Sequence, residues 1–148
     1  MNSLKETLAF IKNDAHAGVT DKSGAPYWKH PVAVMGNLPA NVSDDVRHAA
    51  LLHDVVEDTH YTAADLQKMG YNGNVIKMVM AVTKDKADGM TYQERIEALI
   101  AGGNVGAMQI KLADNMHNMD PRRSFKIKDS LMKRYVASSD ALKKALGV

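Results

Sequence analysis

The chain has 148 residues, 45% hydrophobic and 24% charged, the make-up of one ordinary globular domain with room for a sizeable core. A formal net charge of +2 is too small to argue for nucleic-acid or membrane binding. The absence of cysteine excludes a disulfide framework and any thiolate metal site, so a bound metal must use His, Asp or Glu. The opening residues MNSLKETLAFIKND lack the basic start and long apolar run of a signal peptide, and no stretch approaches the ~18–20 apolar residues of a membrane span. A cytoplasmic location is the expectation. Aromatics are scarce and methionines number ten, which predicts an aliphatic core with Met as filler.

The periodicity is helical almost throughout. Ser3-x-x-Glu6 forms a capping-box pattern opening a helix with Leu4, Leu8 and Ile11 on one face. Residues 18–29, with Gly24 and Pro26, are a loop, and a short helix follows with Pro31 in its first turn. Pro39 ends that helix, and Ser43 or Asp44 caps the next, which the pattern carries unbroken through ALLHDVVED, residues 50–58. Thr62-x-x-Asp65 opens another short helix ending near Gly70, and residues 72–82 form a buried one bearing Val75, Met78, Val79 and Val82. Residues 84–90 are a polar connection. Thr91-x-x-Glu94 is a further capping box, whose helix stops at Gly102-Gly103. A helix then spans about 104–118 until Pro121, and the last, about 128–146, presents Leu131, Tyr135, Leu142 and Ala145 on one face around the small Ser138. With no strand alternation, repeat or linker, the expectation is an all-α fold and a single domain over residues 1–148.

ALLHDVVED places a histidine and three acids in one of the most apolar parts of the chain. An unpaired buried carboxylate costs several kcal/mol unless a partner charge or a metal compensates. On a continuous helix His53 sits over Glu57 and Asp54 over Asp58, and the adjacent His53 and Asp54 can converge on one ion. Further ligands must come from elsewhere. His30, in WKHPVAVM, and Asp114, in IKLADNMHN, stand out by context, and His117, one turn beyond Asp114, is not excluded as a ligand. Mixed imidazole and carboxylate donors suit Mn²⁺, Fe²⁺ or Zn²⁺ better than Ca²⁺. Such an ion would acidify a bound water and polarise a phosphoryl oxygen, with Glu57 and Asp58 placed to orient water or move protons. The plainer reading is a hydrogen-bonded His-Asp pair, a solvent-facing Glu-Asp end and an Asp114 salt-bridged to Lys or Arg. His16, His48 and His60 lack acidic context and are assigned to surface or packing.

Four segments occur in order: K-S-G-x-P-Y-x-x-H-P, A-L-L-H-D-V-V-E-D-T, V-T-K and K-L-A-D-x-x-H-N-M. Together, over about residues 16–119, they resemble the HD-domain hydrolases of the RelA/SpoT-homologue group, especially the small alarmone hydrolases. The resemblance implies a helical HD bundle with one Mn²⁺ in its core, held by His30, His53, Asp54 and Asp114, and Glu57 and Asp58 as the water-activating pair. It implies hydrolysis of the 3′-pyrophosphate of ppGpp and pppGpp, a small-molecule nucleotide substrate, with Lys22, Asn118 and Tyr135 lining the nucleotide site. The synthetase region of long family members is not part of the match. Two positions depart from the pattern: Asp21 stands where the family often has an Arg able to stack on guanine, and Asn115 where K-L-A-D-R-L-H-N-M has Arg. These departures keep open another nucleotide, such as an adenine alarmone, NADPH or a nucleoside monophosphate, and a non-catalytic nucleotide-binding module is the remaining alternative. Neither composition nor motif specifies an oligomeric state.

Overall fold

The computed structural model describes residues 2–123 and 127–148, and every regular element among them is helical. Polar side chains start most of these helices by accepting an orphan backbone N–H. Ser3 and Glu6 form a reciprocal capping box at α1, Leu4–Phe10, whose path continues through a π-helical turn, Ile11–Ala15. After a loop closed by a lone bridge between Thr20 and Pro26 come α2, Lys29–Gly36, and α3, Asp44–Leu52, the latter capped by Ser43. The short α4, Val55–Asp58, and α5, Ala63–Lys68, follow, α5 opened by the Thr62/Asp65 box. Asn72 caps α6, Gly73–Val82; Thr91 and Glu94 box α7, Tyr92–Ala101; Asn104 caps α8, Val105–Asn118; and α9 is Asp129–Leu146.

One apolar core joins these elements. Val34 of α2, Leu51 and Leu52 of α3, Val79 of α6, Ile110 of α8 and Leu142 of α9 are all buried in it. The α8 helix is the hub, packed on α2, α3, α6, α7 and α9, while α3 also meets α1, α2 and α6. Gly106 permits that closeness. A Cβ there would lie 2.4 Å from Met78 Sδ and 3.2 Å from Val46 Cγ2, inside normal contact distance.

Two expectations about the helices need correction. The helix through ALLHDVVED is not continuous: it stops at Leu52 and resumes at Val55, with His53 and Asp54 in the corner. The cause is local. Ala50 O, which an unbroken helix offers to the N–H four residues on, instead accepts from the His53 side chain (Nδ1, 2.7 Å) and the His53 N–H (3.4 Å). On α9, Ala145 is exposed and Leu146 packs on the core in its place, while Ser138 and Ser139 are buried with Leu142. The buried stripe is more polar than the apolar periodicity suggests, because Ser138 serves a hydrogen-bond network described below.

Candidate metal centre and adjoining cavity

At the corner, residues 53–54 bring two adjacent side chains together. His53 Nε2 lies 3.1 Å from Asp54 Oδ2. From α8, Asp114 brings Oδ1 to 3.6 Å of His53 Nε2, and from α2, His30 brings Nε2 to 2.8 Å of the same Asp114 oxygen and 4.0 Å of Asp54 Oδ2. His30, His53 and Asp114 are buried and Asp54 nearly so. The four donors thus converge from three elements far apart in the chain.

A divalent ion fits this cluster on two counts. Donors held about 2.0–2.2 Å from one ion stand about 3–4 Å from each other, the separations found here. His53 Nε2 is also buried without a hydrogen-bond partner, while its Nδ1 donates to Ala50 O. That bond places the neutral ring's proton on Nδ1 and leaves a bare Nε2 lone pair facing the carboxylates, the arrangement typical of a ligating histidine. Burial opposes a charge on His53, but Asp54 and Asp114 hold its pKa well above the ordinary value, so a proton and a cation compete for Nε2. Burial works to raise the pKa of Asp114, but hydrogen bonding from His30 and the nearby charges of Lys111 and His53 outweigh it and hold the carboxyl well below its usual range. Burial likewise opposes ionisation of Asp54, and the His53 charge overcomes it. Lys111 Nζ donates to Asp114 Oδ2 at 3.3 Å and lies over the Tyr92 ring, so the salt-bridge alternative for Asp114 and the cluster coexist.

Glu57 and Asp58 follow the corner on α4, but they face different spaces. Asp58 lines a cavity of about 450 Å³, a volume suited to a small molecule, and Lys22, Asn118 and Tyr135 line the same cavity. Glu57 lines a neighbouring cavity of about 550 Å³ beside Lys84, Arg95 and Lys111, and its Oε1 accepts the Lys84 N–H at 2.6 Å. The two adjacent acids thus line different cavities. Burial, with the charges of Asp54 and Glu57, pushes the Asp58 carboxyl up to about 6. The polar 84–90 connection is tied down: Arg95 reaches Asp88, Asp85 O and Met90 O.

Both departures from the family pattern have structural work. Asp21 Oδ1 accepts from Ser23 N–H (2.8 Å), Ser23 Oγ (2.6 Å) and Ala25 N–H (3.1 Å), closing the turn that presents Lys22. Asn115 is fully buried and faces α9, with Nδ2 donating to Ser138 Oγ at 2.7 Å and Oδ1 accepting from Tyr92 at 3.3 Å. It does not line the 450 Å³ cavity.

Two site residues went unnoticed in the sequence, and a third, His117, stood open there as a ligand. Tyr27 donates its hydroxyl to Asp54 Oδ2, and burial with that acid pushes its own pKa up. His16, assigned to surface or packing, is buried against the Tyr27 ring on the cavity wall with Nε2 unpartnered. His117 touches not the carboxylates but His30, Nδ1 to Nδ1, at 2.6 Å. Tyr27 stands inside the K-S-G-x-P-Y segment and could have been suspected. His16 carried no comparable signal. His48, by contrast, is a packing residue, hydrogen-bonded to Thr7, which also bonds Tyr71.

A family model described as HD domain matches residues 8–130. Among curated proteins, the chain is 40% identical over 117 residues to the guanosine-3′,5′-bis(diphosphate) 3′-pyrophosphohydrolase of Haemophilus influenzae, covering 74% of this chain and 17% of that protein. It is 35% identical over 124 residues to the guanosine-3′,5′-bis(diphosphate) 3′-pyrophosphohydrolase MESH1 of Danio rerio, covering 78% of this chain and 67% of that one. The chain thus spans about a sixth of the bacterial relative and two thirds of the smaller one. A solved structure described as a metazoan ortholog of SpoT that hydrolyzes ppGpp superposes with a TM-score of 0.74 at 27% identity, covering 99% of this chain and 87% of that one.

Proposed function

Because the chain belongs to the HD-domain family, we propose that it is a Mn²⁺-dependent hydrolase of the 3′-pyrophosphate of guanosine alarmones, turning ppGpp and pppGpp into GDP or GTP and pyrophosphate. The observation that carries this reading is the convergence of His30, His53, Asp54 and Asp114, with His53 Nε2 unpartnered, beside a cavity lined by Lys22, Asn118 and Tyr135. We assign the four as metal ligands, and an ion there supplies Lewis acidity to a water and a phosphoryl oxygen. Mn²⁺ suits a donor set of two imidazoles and two carboxylates. One catalytic domain of 148 residues and a cytoplasmic location, with its nucleotide pools, belong to the same proposal.

The protein groups divide the remaining work. Asp58, titrating near 6 and on the cavity wall, is the group to take a proton from the attacking water. Glu57 is held by the Lys84 N–H and orients from the neighbouring cavity. Tyr27 holds Asp54 in place. Lys22 offers the 3′-pyrophosphate a cation, while Asn118 and Tyr135 offer the nucleoside a hydrogen-bonding edge and a ring face.

The test is chromatography of products after incubating metal-stripped protein with ppGpp, with and without Mn²⁺. GDP and pyrophosphate released only with Mn²⁺ is the expected result; intact ppGpp after incubation with folded, Mn²⁺-loaded protein sinks the assignment. A second reading, hydrolysis of another phosphorylated nucleotide, is favoured by Asp21, whose carboxylate closes a turn where the family has a base-stacking Arg. Running the same preparation against adenine alarmone, NADPH and nucleoside monophosphates separates the two.

A further inference from the structure

His30 is held through both ring nitrogens by one helix. Its Nε2 meets Asp114 Oδ1 at 2.8 Å and its Nδ1 meets His117 Nδ1 at 2.6 Å, and Asp114 and His117 are one turn apart on α8. The imidazole planes are 28° from parallel and their centroids 4.9 Å apart, a separation that nitrogens 2.6 Å apart reach only when the rings meet edge to edge through Nδ1. Two ring nitrogens at 2.6 Å cannot both carry protons, which would collide, nor both present lone pairs, which would repel. One donates and the other accepts.

Which one donates follows from the role assigned to His30. Nε2 donates to Asp114 Oδ1 while it carries a proton; once a cation replaces that proton, the neutral ring keeps its proton on Nδ1, and His117 Nδ1 must then be the acceptor. The other imidazole of the cluster is arranged alike, since His53 Nδ1 donates to Ala50 O. The difference is that His53 is oriented by backbone and His30 by a side chain, which substitution can remove. His117 then carries its own proton on Nε2, and it borders a polar cavity of about 520 Å³ shared with Lys29, Asp120 and Arg122.

We propose that His117 is a positioning residue that sets the tautomer and orientation of His30 for metal binding, by accepting the Nδ1 proton of His30 in the plane of the two rings. The inference rests on the reading of His30 as a ligand. It separates His117 from the four donors: Asp114-x-x-His117 supplies one ligand and the partner of another.

Mn²⁺ affinity, measured by titration of the metal-stripped full chain, tests it without reference to any substrate. His117→Phe keeps an aromatic ring in the space and removes the acceptor, and is expected to weaken Mn²⁺ binding by about 10–100-fold, the usual cost of losing such a partner. His117→Asn, whose Oδ1 can stand near the lost Nδ1, is expected to recover most of that loss. Equal affinity in His117→Phe and the parent overturns the proposal, as does a His117→Asn protein as weak as His117→Phe. His30→Ala keeps the two levels apart: unchanged affinity in that variant removes His30 from the ligand set, and the proposal with it. Affinity lost in His30→Ala but kept in His117→Phe leaves the ligand reading standing and overturns this inference alone. If a variant does not fold, nitrogen-15 spectra of the parent loaded with diamagnetic Zn²⁺ decide. His30 Nδ1 protonated and His117 Nδ1 bare supports the proposal; the reverse overturns it.

Discussion

Asp58 shows how much a single carboxyl depends on its surroundings. Its pKa near 6 arises from burial and from the charges of Asp54 and Glu57, so any cation that engages Asp54 lowers it. As a proton acceptor it must be ionised, so turnover is expected to fall as pH drops through about 6 or slightly below, and to be flat above. Asp58→Asn should cost about 10²–10⁴-fold in kcat and abolish that acid limb; a limb that survives the substitution assigns the ionisation to another group. Asp54→Ala should lose both Mn²⁺ binding and turnover, because it removes a carboxylate donor and the acceptor of the Tyr27 hydroxyl together. Substantial turnover by a metal-free Asp54→Ala protein would remove metal from the mechanism.

Between helices, two buried polar networks decide how neighbours seat. Asn115 of α8 with Ser138 of α9 and Tyr92 of α7 closes one of them. Asn115→Ala leaves Ser138 and Tyr92 short of a partner, and a loss of about 1–3 kcal/mol is expected in denaturant unfolding. Substrate preference should not change, since Asn115 faces α9 and not the cavity; a changed preference would reinstate it as a recognition residue. The second network joins Thr7 of α1 to His48 of α3 and to Tyr71 ahead of α6. Burial lowers the His48 pKa below its ordinary 6.5, against the pull of Asp44 and Asp45. With the folded value depressed, the unfolded chain takes up the proton first. The contribution to stability is complete above about pH 6.5 and declines as pH falls below it. The melting temperature of metal-free protein should therefore drop on acidification, and less steeply in His48→Gln; parallel slopes would show that His48 contributes nothing to the drop.

For the molecule as a whole, the His-Asp cluster proposed to hold the metal is a clasp. Its donors come from α2, the α3–α4 corner and α8, so an ion held there binds the folded chain and not the unfolded one. At 100 times its dissociation constant, Mn²⁺ should add about 2.7 kcal/mol, visible as a raised melting temperature. Asp114→Asn should erase the increment. An equal rise in that variant would place the stabilising ion elsewhere. No helix among the described residues is long and apolar enough to cross a membrane.

Capping side chains, helix ends and the apolar faces were legible in the sequence because they depend on residues within a turn or two of each other. Ser3, Thr62 and Thr91 each cap as their i, i+3 partners dictate. The same locality made ALLHDVVED conspicuous, since histidine and acids inside an apolar run need a reason. What lay beyond reach involves residues whose separation is set by packing. His30 meets Asp114 across 84 positions and His117 across 87, and no periodicity encodes the angle at which α2 crosses α8. The turning of Asn115 toward α9 and the placing of Glu57 and Asp58 on separate cavities follow from that crossing and from its neighbours. Composition and spacing determined that this chain is helical and which side chains need compensation; the close packing of α8 at Gly106 and the helices gathered round it decided which of them meet.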